Sequence, residues 1–226
     1  MKQFLVRSPV SDSTNVPLDM LSSFLKSYTV SFAIRYTSKS AQDKLISTLE
    51  KILIPFKVLA GRLIRTEAGL VVCCNNTGVP LSFETHTGNA PNFMIPVPAS
   101  LFDLATNCNP QGDAPGEAPL KIRVTDFDDC QIIAVSICHS ICDAVGFDSF
   151  LSAWAEAYRG GLWCHDVSHE RIATPPVPSK TDSVPKEWRK LKHLPEDFPS
   201  MPEGPLESPV FISVRRSPEN IAKLKA

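Results

Sequence analysis

Proline placement is the feature that most limits what this chain can fold into. Nine of its 20 prolines fall between Pro175 and Pro209. Each proline removes a main-chain hydrogen-bond donor, so this stretch cannot form a regular helix or a central strand. We expect residues 161–209 to be an extended crossover on a domain surface. Regular structure is therefore predicted in residues 1–160.

The last seventeen residues have the pattern of a new strand and helix. Residues 210–226 contain a strand pattern and then a helix pattern, with Ser217 as the N-cap and Pro218 at the first helical position. A helix of about nine residues is marginal unless it packs on something. We expect residues 210–226 to begin an incomplete second domain.

A period-two pattern in residues 28–37 predicts a half-buried strand. Its buried face is expected to carry Tyr28, Val30, Phe32, Ile34 and Tyr36. Further short strands are predicted in residues 61–86, with turns at 67–69 and 75–78. A hairpin is predicted around Asp128 and Asp129.

Two segments have helical periodicity. The first opens with Ser40 three residues before Asp43, a capping-box spacing, and Pro55 is expected to end it. Its apolar positions are Leu45, Leu49, Ile52 and Leu53. The second runs from residue 144 to a stop at Gly160 and Gly161. Strands and helices together predict an α/β fold of the two-layer α+β kind, with a mixed β-sheet covered by helices.

Composition excludes several classes of function. The formal net charge is −1, with both signs interspersed, so no field directs the chain to nucleic acid or a membrane. No run of eighteen apolar residues could span a bilayer, and the N-terminus lacks a secretory apolar segment. Seven cysteines without framework spacing suit a reducing compartment. We expect a cytoplasmic protein.

The segment VSICHSICDAVGF (135–147) places His139 and Asp143 between an apolar strand and a helix. Loops at such junctions commonly carry functional residues. Asp143 is equally well placed as a helix N-cap, and His139 could be a strand-end histidine bonded to main chain. The same His-x-x-x-Asp spacing recurs at His193 and Asp197, inside the proline-rich stretch, where no strand precedes it.

Four segments in order resemble the BAHD-type acyl-CoA-dependent acyltransferases. Residues 139–160 resemble the family's His-x-x-x-Asp-Gly region, and residues 45–63 its amphipathic helix and Leu-Ala-Gly-Arg-Leu segment. Residues 69–86 resemble its next strand pair, and residues 215–226 the start of its second domain. The resemblance implies a chloramphenicol acetyltransferase-like fold and the first of two such domains.

Two departures from the family pattern stand out. The glycine after the motif aspartate is Ala144 here, and the family's Asp-Phe-Gly-Trp-Gly signature occurs nowhere in the chain. Chloramphenicol acetyltransferase itself and the condensation domains of peptide synthetases usually carry two adjacent histidines, whereas Cys138 precedes His139 here. This favours the BAHD branch.

The resemblance implies a transferase of secondary metabolism. His139 would act as general base toward a hydroxyl or amine of a small-molecule acceptor, which attacks the thioester of acyl-CoA. The acyl group would be other than aminoacyl, acyl-CoA a co-substrate rather than a permanently bound cofactor, and no metal is needed. Asp143 would be structural support, holding the loop.

Other functions remain open. A truncated relative could be a non-catalytic binding or interaction domain, and its exposed inter-domain face could associate with another chain. A hydrolase acting on thioesters would use water as acceptor. Cys164, His165 and His169 are close enough to suggest metal ligands, but three residues without a fourth partner are more typical of an ordinary loop.

Overall fold

The computed structural model places most of the first 162 residues of the chain. It describes residues 1–11, 13–19, 22–23, 25–91, 104, 107–162 and 167–169. The predicted second-domain start at 210–226 and nearly all of the predicted crossover at 161–209 lie outside the described residues. The domain boundaries therefore stay predictions.

Strands dominate the described chain. In order, its elements are β1 (Lys2–Val6), β2 (Asn15–Pro17), β3 (Thr29–Tyr36), α1 (Gln42–Ile52), β4 (Arg62–Thr66), β5 (Gly69–Cys73), β6 (Val79–Thr85), β7 (Leu120–Asp126), β8 (Gln131–Cys138) and α2 (Ala144–Arg159). Two short 3-10 turns, Leu25–Ser27 and Lys57–Ala60, precede β3 and β4. None of the helices in these residues is long and apolar enough to cross a bilayer.

The strands form two sheets. The larger has the order β1-β6-β7-β8-β3, in which β6 and β7 run parallel and the other neighbours antiparallel. The smaller has the order β2-β5-β4 and is antiparallel. The mixed sheet and the β7–β8 hairpin are as predicted. Strand β8 lies between β7 and β3 and is buried at every position.

One hydrophobic core joins the two helices to the strands. Leu49 and Leu53 of the first helical segment and Phe150 of α2 are fully buried in it, together with Leu120 and Val135 of the large sheet. Burial of such side chains stabilises the fold by about 1.5–3 kcal/mol each.

The two helices are also tied by hydrogen bonds. The Trp154 indole N–H donates to Thr48 Oγ1 at 3.1 Å and to the Leu45 carbonyl at 3.3 Å. These bonds give the buried indole the partner that its N–H requires. Because α2 is held in place, the segment that leads into it, residues 139–143, is held at its end as well.

The capping-box prediction at Ser40 is wrong. The N-cap of α1 is Ala41, which has no side-chain cap. Its N–H instead donates to the Tyr158 hydroxyl of α2 at 2.9 Å. A residue 117 positions away thus satisfies an amide at the helix start.

The predicted buried face of β3 is only partly correct. Val30 and Ile34 are half-buried, but Phe32 and Tyr36 are 45% and 39% exposed. In the described sheet β3 is an edge strand, and Phe147 of α2 covers one side of the Phe32 ring with centroids 4.5 Å apart. An edge strand has fewer neighbours to cover its apolar side chains.

Candidate functional site

His139 follows the last residue of the buried strand β8. Its main-chain N–H donates to the carbonyl of Tyr28 at 2.8 Å, and the N–H of Cys138 donates to the carbonyl of Pro119 at 2.8 Å. The main chain is therefore held from both neighbouring strands at the point where the histidine leaves the sheet. The residue itself is half-buried.

The imidazole of His139 bonds to no main-chain group of the described residues. Its Nδ1 atom is buried, and within the described chain neither ring nitrogen has a hydrogen-bond partner. A strand-end histidine with purely structural duty is expected to use its nitrogens on backbone groups, since buried polar atoms are nearly always bonded. A buried nitrogen without a partner is a feature that needs an explanation.

A tight turn joins His139 to α2. The N–H groups of Ile141 and Cys142 both donate to the carbonyl of Cys138, at 3.1 and 3.3 Å. Asp143 is extended and its Oδ1 accepts from the N–H of Gly146 at 2.8 Å, which makes it the N-cap of α2. The capping position expected for Asp143 from the sequence is thus confirmed.

His139 and Asp143 line one open cleft of about 390 Å³. The cleft's apolar wall comes from segments distant in sequence: Leu25, Phe56, Val58, Leu59, Ile141 and Val167. A largely apolar concavity with a few polar groups is the usual form of a small-molecule site. His139 and Asp143 thus share one concave surface of a form that suits a small ligand.

Two cysteines flank the histidine in different environments. Burial, and secondarily the charge of Asp143, raise the pKa of the Cys142 thiol to about 12. The pKa of the buried Cys138 thiol is lowered, first by a hydrogen bond with the Cys108 thiol and less by Ser140, whose Oγ lies 3.0 Å from Cys138 Sγ. Cys142 faces the cleft as a neutral thiol, and a neutral thiol is a poor nucleophile.

Several cleft residues were not anticipated from the sequence. Val58 and Leu59 belong to the segment that resembles the acyltransferases, yet nothing local marked them as site residues. His169 also lines the cleft, and its Nε2–H donates to the carbonyl of Pro55 at 2.8 Å. Only tertiary structure brings these segments to His139.

Of the three residues suggested as metal ligands, only His169 lies within the described chain. Cys164 and His165 lie outside the described residues, as do His193 and Asp197. Within the described ranges no three His, Cys, Asp or Glu side chains come close enough to hold a metal ion.

The sequence matches known proteins over most of its length. A model of the Transferase family matches residues 16–226. The chain is 28% identical over 205 residues to 13-hydroxylupanine O-tigloyltransferase of Lupinus albus, covering 85% of this chain and 43% of that protein. It is 26% identical over 198 residues to BAHD acyltransferase BIA1 of Arabidopsis thaliana, covering 85% and 42%.

Solved structures show the same fold. Vinorine synthase superimposes with a TM-score of 0.59 at 23% identity, covering 79% of this chain and 47% of that chain. F. sporotrichioides TRI101 complexed with coenzyme A and T-2 gives a TM-score of 0.54 at 17% identity, covering 68% and 41%. The chain thus spans less than half the length of these relatives and corresponds to one of two chloramphenicol acetyltransferase-like domains. By its sequence, it belongs to the Transferase family of BAHD acyltransferases.

Proposed function

We propose that this chain takes part in transfer of an acyl group from acyl-CoA to a hydroxyl or amine of a small molecule, with His139 as general base. The observation that carries the proposal is the His139 imidazole in the cleft, whose ring nitrogens have no partner among the described residues. A general base needs a nitrogen that a substrate proton can reach, and because Nδ1 is buried we assign this role to Nε2.

The proposed reaction begins when the imidazole takes the proton of the acceptor hydroxyl or amine. The acceptor oxygen or nitrogen then forms a bond to the thioester carbonyl carbon. When the carbon–sulfur bond breaks, the departing thiolate takes the proton back from the imidazolium. Proton transfer of this kind typically contributes about 10² to 10⁴ in rate.

Asp143 has a positional role in this proposal. Its carboxylate already accepts the Gly146 N–H at the start of α2, so it fixes the end of the turn whose first residue is His139. The main-chain bond from His139 to Tyr28 fixes the other end. A base held at both ends of a short turn loses little freedom when a substrate binds.

The relatives support the choice of donor and acceptor. The Lupinus albus relative is named an O-tigloyltransferase, and a Papaver somniferum relative, 30% identical over 119 residues, is named salutaridinol 7-O-acetyltransferase. The latter match covers 52% of this chain and 24% of that protein. Structures of TRI101 contain coenzyme A. We infer acyl-CoA as co-substrate and a small alcohol or amine as acceptor.

A second candidate is a non-catalytic binding or interaction domain. The observation that favours it is the cleft wall of Phe56, Val58 and Leu59, which suits an apolar small molecule whether or not acyl transfer follows. Such a domain would bind acceptors in the cleft without turning them over.

Release of free thiol from acyl-CoA, measured with a panel of alcohols and amines, distinguishes these functions. The proposal expects acceptor-dependent release that falls by about 10²-fold or more in His139→Ala. His86→Ala is the matched control, since His86 is exposed and packs against Phe127. Undiminished release by a folded His139→Ala variant would refute the base assignment.

The remaining outcomes identify the alternatives. If the wild-type chain binds acceptors, as followed by NMR, but releases no thiol, the second candidate function, a non-catalytic binding domain, is supported. Thiol release without any acceptor would instead indicate a thioester hydrolase.

A further inference from the structure

Gly146, the third residue of α2, lies directly against the Cys142 side chain. A Cβ added to it would lie 2.8 Å from the Cys142 sulfur and 3.4 Å from Oδ1 of Asp143. A carbon–sulfur separation of 2.8 Å is shorter than van der Waals contact allows, so one of the two groups would have to move. In its observed rotamer the Cys142 thiol therefore occupies space that a Cβ at position 146 would need.

Two contacts hold Cys142 where it lies. Its N–H donates to the carbonyl of Cys138 at 3.3 Å, and its thiol lies 3.6 Å from the carbonyl oxygen of Asp143. The thiol stays uncharged at neutral pH, because burial and the Asp143 charge raise its pKa to about 12. It packs as a small apolar group between the turn and the first turn of α2.

Ala144 provides the contrast. The family resemblance places a glycine at this position, yet Ala144 is exposed and begins α2 with helical geometry. The steric need for a missing side chain lies two residues later, at Gly146, where the N–H also donates to Asp143.

We infer that Gly146 is a positioning residue for His139. Its bare Cα lets the Cys142 thiol pack against α2, and this packing holds the turn from His139 to Asp143 in the form that points the imidazole at the cleft. A side chain at position 146 displaces Cys142, and the displacement passes through the turn to His139. Only the kinetic part of this inference rests on the proposed function.

A double-mutant cycle in thermal stability tests the packing directly. Gly146→Ala is expected to lower Tm in the wild-type background, because the new methyl group meets the sulfur. In a Cys142→Ala background the same change should raise Tm, since alanine is a better helix former than glycine. Val145→Ala, at a neighbouring side chain that is 74% exposed, is the control and should leave the imidazole signals of His139 unchanged.

The position of His139 has its own readout. The imidazole carbon-bound proton resonances of His139, assigned by comparison with His139→Ala, are expected to shift in Gly146→Ala and to return close to those of Cys142→Ala in the double variant. In an active preparation, kcat of Gly146→Ala should fall by about 10-fold or more, because the base is displaced. The double variant should recover the turnover of Cys142→Ala.

Two results would overturn the inference. One is a Tm increase for Gly146→Ala in the wild-type background together with unshifted His139 resonances. The other is a double variant that stays as impaired as Gly146→Ala. Failure of the proposed function looks different: His139→Ala would then keep full thiol release, while the stability cycle and the resonances still report on Gly146.

Discussion

The main-chain N–H of His139 donates a hydrogen bond to the carbonyl oxygen of Tyr28 at 2.8 Å. This bond continues the β3–β8 ladder one residue beyond the last paired positions, Thr29 and Cys138. The candidate base thus leaves the sheet at a point that is still hydrogen-bonded. Its main chain is held there, while the residue itself lines the cleft.

The N-cap of α2 predicts a clear difference between two substitutions of Asp143. Asp143→Ala should lower the free energy of unfolding by about 1 kcal/mol, since the Gly146 N–H loses its acceptor. Asp143→Asn should cost much less, because asparagine caps equally well. Urea unfolding followed by circular dichroism measures both, with the exposed Asp148→Ala on the same helix as control.

The same pair separates two roles in catalysis. If Asp143 is positional, Asp143→Asn should keep more of the acceptor-dependent thiol release than Asp143→Ala. Equal and complete loss in both would indicate that the charge itself is required, contrary to the proposed role.

The bond between Trp154 and Thr48 predicts how α1 and α2 depend on each other. Thr48→Val should cost about 1 kcal/mol, because the indole keeps only its longer bond to the Leu45 carbonyl. Trp154→Ala should cost about 3–5 kcal/mol through the cavity it leaves. Guanidinium unfolding by circular dichroism tests both, and Thr37→Val, at an exposed site, should change little. A neutral Trp154→Ala would contradict this packing.

The raised pKa of Cys142 predicts a loss of stability at alkaline pH. The folded protein holds the thiol proton up to about pH 12, whereas an unfolded cysteine releases it near its ordinary pKa of about 8.5. The contribution of the protonated Cys142 thiol to the free energy of unfolding is therefore complete below about pH 8.5. It is lost as pH rises toward 12, by at most about 1.4 kcal/mol per pH unit. Denaturant unfolding at a series of pH values should show a shallower decline in Cys142→Ala. Identical declines in the two proteins would count against a raised pKa.

Asp129 predicts a change at the acidic end. The N–H of Ala90, 2.8 Å from its Oδ1, and the Arg35 guanidinium lower the pKa of this carboxyl. Its contribution to stability is present above the ordinary carboxyl pKa of about 3.9 and is lost as pH falls through the lower folded value. Asp129→Asn should lose less stability on acidification than the wild type, measured against Asp148→Asn. In Asp129→Asn, hydrogen exchange at the Ala90 amide should also be faster than in the wild type, because a neutral amide oxygen accepts the Ala90 N–H more weakly than a carboxylate does.

Local patterns predicted the elements that local interactions determine. The helical spacing of Leu45, Leu49 and Ile52 correctly predicts α1. Gly160, in the left-handed conformation, ends α2 as predicted. The junction that holds His139 was recognised because an apolar strand, a capping aspartate and a helix follow one another in sequence.

Features that depend on distant contacts could not be predicted. Ser40 has good capping chemistry, but Tyr158 reaches the helix start from 117 positions away. Phe56 and Val167 line the same cleft although 111 positions separate them in the sequence. A single sequence contains no local signal for contacts between residues so far apart. The residues that line a site are therefore harder to predict than its sequence motif.

The pairing of β3 with β8 has a consequence for biosynthesis. The hydroxyl oxygens of Ser31 and Ser136 lie 2.6 Å apart across a separation of 105 positions. Closing so long a loop costs entropy before any contact repays it, which delays such pairings in folding. A nascent chain that has not yet emerged from the ribosome past Cys138 lacks β8, the strand with which both β3 and β7 pair. Its earlier apolar segments stay exposed until then, and chaperones can bind them.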